Sequence, residues 1–270
     1  MSSSDRVLQL LALFSAAHPV LTPARAMAAL GASRASVYRY LAQLEEAGFV
    51  ERVPERGYVL GPAIVELDRQ IRLSDPLLDA ARGLTEALSA ATGGTTLLCR
   101  FHGDKVLCIE QNAGPNAPAS ISYERGRAMP MYRGATSKII LAHLGRDALQ
   151  ALWRAHRREM ARAGLPASFE ALVAALAPLR EARICVTANE VDSDAQGFAA
   201  PLLDGAQVLG SVSVVLPASS IRPAQRAKVS ALVLQTAARI EARIEAARQA
   251  ARRVKGSRAG VRENRREGAK

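Results

Sequence analysis

Cysteine is scarce in this sequence, with three in 270 residues, and no two of them form a C-x-x-C pair. Such a sparse, odd set argues against a disulfide framework and for a reducing compartment, and it gives little support to a structural zinc site. The four histidines stand in unrelated contexts, and none has a cysteine or acidic partner at the spacing of a metal or catalytic site. We therefore expect no metal, no cofactor and no catalytic constellation, which predicts that the protein is not an enzyme.

Long apolar runs are also missing, and no stretch approaches the length that a bilayer-spanning helix requires. The first five residues, Met-Ser-Ser-Ser-Asp, have neither the basic nor the apolar region of a signal peptide. No internal repeat recurs at a fixed period. These absences predict a protein of one or two domains that has no membrane partner and works in the cytoplasm.

The formal net charge of +11 suggests an anionic partner, but the charge is unevenly distributed. Residues 1–73 hold eight arginines against seven acidic residues, whereas residues 250–270 hold eight basic and two acidic residues. The end of the chain loses helical periodicity and is interrupted by glycine, so we expect a basic disordered tail over 250–270. This tail is either a solubilising segment or an arm that contacts phosphates.

The stretch 21–58 has the pattern of a winged helix-turn-helix. A short helix that opens with Thr-Pro ends at Gly31, and Ser33 caps a second helix that runs to about Ala47. Two strand-like runs joined by the turn 54–57 follow, which predicts a hairpin wing. Apolar residues recur along the second helix at spacings of three and four and predict its buried stripe: Val37, Tyr40, Leu41 and Leu44.

The opposite side of the second helix carries small and cationic residues, which suits contact with a DNA duplex. The alternative is a plain helical hairpin and β-hairpin that serve dimerisation, placed before a small-molecule enzyme or carrier. On the first interpretation the DNA-binding candidates are Thr22, Arg25, Ser33, Arg34, Ser36, Tyr38, Arg39, Gln43 and Arg56.

The remaining chain mixes helices with β-hairpins, which predicts an α+β fold with a mostly antiparallel sheet. The pattern divides the chain into a DNA-binding domain (1–61), a linker helix (62–75), a second domain (76–249) and the tail (250–270). Further expectations concern single elements: a first helix over 5–17, one helix over 76–91, a short strand over 121–123, a loop over 126–132 and a closing helix over 222–249.

Two stretches of the second domain are suited to binding a small molecule. In 125–138, small residues open a helix and leave backbone N–H groups that would suit a carboxylate, although a plain capped helix start fits equally. The spacing of a nucleotide-hydrolysing phosphate loop is absent there. In 185–194, acidic and amide side chains either contact a ligand or form a solvated loop. Ser211 and Ser213 share one face of a strand, which lines a pocket or faces solvent.

The run 34–50 together with Tyr58-Val-Leu-Gly61, and the run from Arg133 to Ala142, resemble the IclR family of bacterial transcriptional regulators. The resemblance extends over residues 5–249. The family often has glycine just before the lysine of the second run, whereas this chain has Ser137 before Lys138. It implies a winged helix-turn-helix joined by a linker helix to a GAF-like domain that binds small organic acids.

The resemblance further implies a ligand-responsive repressor or activator that binds a double-stranded DNA operator as a homodimer or homotetramer. Taken with the two polar stretches and the strand serines, the candidate effector-binding residues are Met129, Met131, Arg133, Gly134, Ala135, Cys185, Glu190, Asp192, Ser211 and Ser213.

Overall fold

The computed structural model describes residues 3–118 and 121–267, with side chains described as far as residue 252. The chain forms two compact units, Met1–Asp75 and Pro76–Lys270. The first unit combines helices with a two-stranded sheet, and the second combines helices with a six-stranded sheet. Every strand pair in both sheets is antiparallel. The predicted α+β class is therefore confirmed. Across the described ranges, no helix combines the length and the apolar character needed to cross a membrane.

The first unit follows the helix-turn-helix pattern closely. Thr22 and Ser33 cap the second and third helices, and Gly31 ends the second with a left-handed backbone conformation (φ 57°). The elements in order are α1 (Ser3–Leu11), α2 (Pro23–Leu30), α3 (Arg34–Glu46), β1 (Val50–Val53), β2 (Gly57–Leu60) and α4 (Pro62–Ser74).

The first helix is shorter than the sequence pattern predicts. It ends at Leu11 rather than near Ala17, because the backbones of Ser15 and His18 exchange hydrogen bonds of 3.2 and 2.9 Å and turn the chain back. The apolar residues beyond Leu11 still pack inward. They join a core built on the predicted stripe of α3: Leu10, Leu21, Ala26, Val37, Tyr40, Leu41, Leu44, Val50 and Tyr58.

The wing is tied to the start of the helix-turn-helix through its backbone. Leu21 and Tyr58 exchange hydrogen bonds of 2.8 and 2.9 Å, which adds one residue pair beside β2. This approach requires a glycine at position 57, where φ is 127° and a Cβ atom would lie 2.6 Å from the Leu21 carbonyl oxygen. The wing therefore stands at a fixed place beside α2.

The second unit has a sheet in the order β5-β4-β3-β8-β7-β6. Its helices are α5 (Pro76–Ala81), α6 (Leu84–Thr92), α7 (Gly134–His143), α8 (Arg146–Arg162), α9 (Phe169–Ala182) and α10 (Pro223–Glu267). Its strands are β3 (Thr95–His102), β4 (Lys105–Asn112), β5 (Ala128–Pro130), β6 (Cys185–Ala188), β7 (Ala195–Asp204) and β8 (Gln207–Pro217).

Four local predictions for this unit were wrong. The helix over 76–91 is two helices, because Gly83 adopts a left-handed conformation (φ 74°) between them. The stretch 121–123 is not a strand, and the expected loop over 126–132 contains β5, which pairs with the edge of β4. The closing helix α10 extends through Glu267 rather than ending near 249. The run is rich in alanine, arginine and glutamate, which favour helix.

The two faces of the sheet bury different sets of side chains. Along β8, Val212, Val214 and Leu216 join the core beneath α5, α6 and α10, whereas Val215 joins the core beneath α7, α8 and α9. The sheet is therefore the middle layer between two groups of helices. This arrangement places the start of α7 against the strands β6, β7 and β8.

Candidate functional site

The outward side of α3 is polar and accessible, while the opposite side is buried in the core. Arg34, Tyr38, Arg39 and Gln43 are exposed, and Ser36 is half-buried between them. The Arg34 guanidinium carbon lies 5.5 Å from the centre of the Tyr38 ring. These side chains form a cationic surface with one accessible aromatic ring.

Arg39 is held close to Tyr40 at the edge of this surface. Its guanidinium carbon lies 5.4 Å from the centre of the Tyr40 ring. Hydrogen bonds from Ser3 and from Arg39 lower the pKa of Tyr40. The guanidinium is thereby restrained while its side chain remains exposed.

Two of the predicted DNA-binding hydroxyls also fix helix starts. Thr22 Oγ1 accepts a hydrogen bond of 3.3 Å from the Arg25 backbone N–H, and Ser33 Oγ accepts one of 3.3 Å from Ser36. Arg25 is half-buried, whereas Arg56 is exposed at the wing turn. The nine predicted residues thus lie at the start of α2, along α3 and its cap, and at the wing turn of the first unit.

The helix α4 has no buried residue, although it is strongly amphipathic in sequence. Its apolar side chains face outward with high exposed fractions: Val65 71%, Leu67 48%, Ile71 53% and Leu73 62%. Isolated apolar residues on a surface are ordinary, but neighbouring exposed apolar residues on one side of a helix mark a contact surface. Leu67 and Ile71 lie four residues apart and share one side of α4, and we call these two residues the α4 apolar face.

In the second unit, a small cavity lies where the first turn of α7 meets the segment that connects β6 to β7. Its volume is about 30 Å³. Its lining residues come from the segment before β5, the start of α7, the three neighbouring strands and the β6–β7 connection: Ile121, Tyr123, Gly134, Ala135, Thr136, Thr187, Glu190, Val191, Asp192, Ala195, Gly197 and Val215.

Glu190 occupies part of the anion-binding position at the start of α7. One carboxylate oxygen, Oε2, accepts a hydrogen bond of 3.1 Å from the Gly134 backbone N–H, and the other lies 2.6 Å from Lys138 Nζ. The Arg133 guanidinium donates to the Glu190 carbonyl oxygen at 2.5 Å. The amides of Ala135 and Thr136, the next two of the first turn, have no partner within the helix itself.

A second acidic residue closes the other side of the cavity. Asp192 accepts hydrogen bonds from the backbone N–H of Ser122, at 2.8 Å, and from the Ser122 hydroxyl. The next residue, Tyr123, donates to the Arg133 carbonyl oxygen at 3.0 Å and contacts Ser137 Oγ at 2.6 Å. Burial raises the pKa of Tyr123 above its ordinary value, so its hydroxyl stays protonated.

Sequence reasoning did not find Ser122, Tyr123 or Thr187. Tyr123 reaches the cavity from a loop, where no periodic pattern marks a side chain as buried. Ser122 and Asp192 are 70 residues apart in sequence, so their contact has no local signal. Only the fold brings these groups together.

The ten predicted effector residues fall into three places. Gly134, Ala135, Glu190 and Asp192 line the cavity, while Arg133 lies beside it and lines a more open depression that it shares with Glu190. The other five are buried around it and are not among its lining residues: Met129, Met131, Cys185, Ser211 and Ser213.

The two serines of β8 bond to α7 rather than to solvent. Ser213 Oγ accepts a hydrogen bond of 3.0 Å from Thr136 Oγ1, and Ser211 Oγ donates one of 3.2 Å to the Thr136 carbonyl oxygen. Both serines are fully buried, so the solvent-facing alternative is wrong. Their role in the structure is to hold the first turn of α7 against the sheet.

Metal ligation finds no support in the described part of the chain, where no three His, Cys, Asp or Glu residues are grouped as ligands would be. Burial raises the pKa of Cys185 to about 12, which disfavours the thiolate form that binds metals.

Comparisons with known proteins agree with this two-unit architecture. Residues 3–54 match the IclR helix-turn-helix domain, and residues 73–242 match the bacterial transcriptional regulator IclR C-terminal domain. The HTH-type transcriptional regulator XynR of Escherichia coli K12 is 30% identical over 230 residues, which cover 84% of this chain and 90% of XynR. The DNA-binding transcriptional repressor YiaJ of the same organism is 26% identical over 200 residues, which cover 71% of this chain and 70% of YiaJ.

Solved structures show the same fold. An IclR transcriptional regulator from Alicyclobacillus acidocaldarius superposes with a TM-score of 0.74 at 24% identity, covering 90% of this chain and 98% of that one. An IclR homolog from Microbacterium hydrocarbonoxydans, complexed with 4-hydroxybenzoate, gives a TM-score of 0.73 at 21% identity, covering 91% and 100%. Since its two units match the two family domains and its relatives match along most of its length, the chain belongs to the IclR family of bacterial DNA-binding transcriptional regulators.

Proposed function

We propose that this regulator senses a small organic acid in the α7 cavity and thereby changes its binding to a double-stranded DNA operator in the cytoplasm. Members of the family are transcriptional regulators rather than enzymes. The observation that carries the proposal is the open first turn of α7, where Ala135 and Thr136 line the cavity and their amides have no partner within the helix. Unpaired amides and the positive end of the helix dipole together favour a carboxylate. The 4-hydroxybenzoate complex of the Microbacterium homolog supports this class of ligand.

The cavity wall also suits hydroxyl groups on the ligand. Glu190 and Asp192 supply acceptor oxygens, and Thr187 supplies a hydroxyl. A ligand with only a carboxylate would meet the charges of both acidic residues without compensation, whereas a hydroxy acid can donate to them. A small hydroxy acid therefore fits this lining better than a simple fatty acid.

On the DNA side, we propose that Arg34, Ser36, Arg39 and Gln43 enter the major groove from α3. Tyr38 and the helix starts at Thr22, Arg25 and Ser33 contact the phosphate backbone, and Arg56 reaches the backbone from the wing. Bidentate contact of arginine with guanine is the commonest specific contact in such interfaces.

A methyl group added at Gly197 is expected to weaken acid binding. Gly197 lines the cavity, and a Cβ atom there would lie 3.4 Å from the Ala135 Cβ atom, an ordinary contact that the fold tolerates. Because it removes space from the cavity, we expect Gly197→Ala to reduce affinity by about 1–3 kcal/mol, the usual effect of one methylene-sized change in a pocket.

The measurement is a thermal-shift titration with hydroxy acids and 4-hydroxybenzoate, since a ligand that binds only the folded state raises the unfolding midpoint. The control is Gly145→Ala, where nothing lies within 4 Å of an added Cβ atom. An acid that shifts wild type and Gly197→Ala equally would show that it binds elsewhere.

We further propose that the α4 apolar face pairs two copies of the chain, which yields a homodimer that can assemble into a tetramer. Leu67 and Ile71 are one helical turn apart and share one side of α4. Replacing both with glutamate is expected to remove about 1.5–3 kcal/mol of burial for each side chain and to raise the dimer dissociation constant accordingly.

Sedimentation over a dilution series measures this change. Gln70→Glu, which adds a charge to the same helix at an exposed polar position, is the control and should leave the dimer intact. A double variant that sediments like wild type would place the dimer contact elsewhere.

A further inference from the structure

Two of the three cysteines face each other across neighbouring strands. Cys99 in β3 and Cys108 in β4 are partners in the antiparallel register, next to an irregularity between Leu98 and Cys99 where β4 has one extra residue, and both are free thiols with no exposed surface. Opposite residues in such a ladder have Cα atoms about 4.5–5.5 Å apart. This separation falls within the range of about 4.4–6.8 Å that a disulfide spans.

The third cysteine cannot join this pair. Cys185 lies in β6, which is separated from β3 by β8 and β7. Three strand spacings correspond to about 14 Å. Since residues more than about 7 Å apart cannot be bridged without moving the backbone, Cys185 is a built-in control for the chemistry of the pair.

Cys108 lies where the outer strand of the sheet stops. The edge strand β5 pairs with β4 only at Lys105, Val106 and Leu107. At the next position the neighbour is a loop residue, with the Gly126 N–H donating to the Cys108 carbonyl oxygen at 2.9 Å. A three-residue edge strand and a loop are the elements that open most readily in local fluctuations, so a small oxidant has a short route to the Cys108 sulfur.

The two thiols are chemically unequal. A hydrogen bond from the Cys99 thiol lowers the pKa of Cys108, whereas burial and the neighbouring Cys108 raise the pKa of Cys99 well above its ordinary value. Cys108 is therefore the better nucleophile of the two, and Cys99 holds its proton until it resolves the oxidised form.

We propose that Cys99 and Cys108 are a redox-sensitive pair that forms a reversible intrachain disulfide when the protein meets a hydroperoxide. The Cys108 thiolate attacks the terminal peroxide oxygen, the O–O bond breaks, and the alkoxide or hydroxide leaves and takes up a proton. Cys108 is thereby oxidised to a sulfenic acid. The Cys99 sulfur then attacks the Cys108 sulfur, the S–O bond breaks, and hydroxide leaves with the Cys99 proton as water.

The disulfide is expected to change the wall of the α7 cavity through the loop that follows β4. Cys99 is close enough to Tyr123 to influence its pKa, and Tyr123 lines the cavity. Drawing β3 and β4 together shifts the strand to which Gly126 is bonded. Oxidation therefore changes the wall that the acid would contact, which gives the regulator a second input besides its ligand.

The test treats the full-length protein with hydrogen peroxide and measures its intact mass and its count of alkylatable thiols after denaturation. Wild type and Cys185→Ser are expected to lose two hydrogen atoms and two thiols, with both changes reversed by dithiothreitol. Cys99→Ala is expected to stop at a sulfenic acid on Cys108 that dimedone traps. Cys108→Ala is expected to give neither product.

Circular dichroism of each variant before treatment verifies that it is folded, and Cys99→Ser and Cys108→Ser replace any alanine variant that is not. The inference is overturned if folded wild type keeps three alkylatable thiols after the treatment, or if the peptide map shows a disulfide that includes Cys185.

Discussion

Arg39→Ala is expected to weaken operator binding by about 1–3 kcal/mol, which is about a 5- to 150-fold loss of affinity. The Arg39 side chain is exposed on the outward side of α3 and is restrained by Tyr40, so little conformational freedom is lost when it contacts a base. The measurement is fluorescence anisotropy at fixed salt, on a duplex that wild-type protein selects from a random pool.

The matched control for Arg39 is Arg69→Ala. Arg69 is an exposed arginine of α4, outside the helix-turn-helix and the wing, so its loss removes the same charge without touching the proposed DNA surface. If Arg39 reads a base, its loss affects the operator but not random DNA. If it binds a phosphate, both duplexes lose affinity and the salt slope falls by about one. Equal affinities for Arg39→Ala and wild type on both duplexes would remove Arg39 from the interface.

Phe198→Ala is expected to destabilise the second unit by about 3–5 kcal/mol, the usual cost of truncating a large core aromatic residue. Phe198 lies in β7 with no exposed surface, in the core beneath α5, α6 and α10. The removed ring leaves a cavity that the sheet and the long helix cannot fill. Urea unfolding followed by circular dichroism measures the loss.

Val186 provides the control for this substitution, because it is the direct cross-strand partner of Phe198 in β6 but is 41% exposed. Val186→Ala on the same pair of strands is expected to cost far less than Phe198→Ala. Similar losses for the two variants would show that the strand pairing, rather than the core beneath α10, limits the stability of this unit.

The DNA-binding unit could be predicted from the sequence because its signals are local. The caps at Thr22 and Ser33, the stop at Gly31 and the apolar spacing along α3 lie within a few residues of the structures they specify. The first helix was predicted to be too long, because the apolar residues after Leu11 also pack inward but do so from a turn. The spacing of apolar residues predicts that a side chain is buried, but it does not predict whether the backbone there is a helix or a turn.

The cavity could be predicted only in part. The small residues at the start of α7 marked one wall, and Glu190 and Asp192 marked another. The contacts that give these residues their geometry join distant segments, such as Gly134 with Glu190 and Ser122 with Asp192. β5 escaped prediction for a similar reason, since three residues become a strand only because the edge of β4 is available to pair with them.

Ser211 and Ser213 of β8 show what the alternation of side chains along a strand cannot predict. Their spacing correctly placed them on one face, but it could not distinguish a ligand-facing position from a bond to Thr136. A buried hydroxyl needs a hydrogen-bond partner, and a serine at this spacing could bond either to a ligand or to a neighbouring helix.

The proposed function depends most on duplex binding by the outward side of α3. The most direct test is the affinity of the full-length wild-type protein for its selected duplex, measured across a salt series. We expect the logarithm of the association constant to fall linearly with the logarithm of salt concentration, as arginine contacts to phosphates require. Absence of binding at low salt, from folded protein with the helix-turn-helix and wing intact, would contradict it.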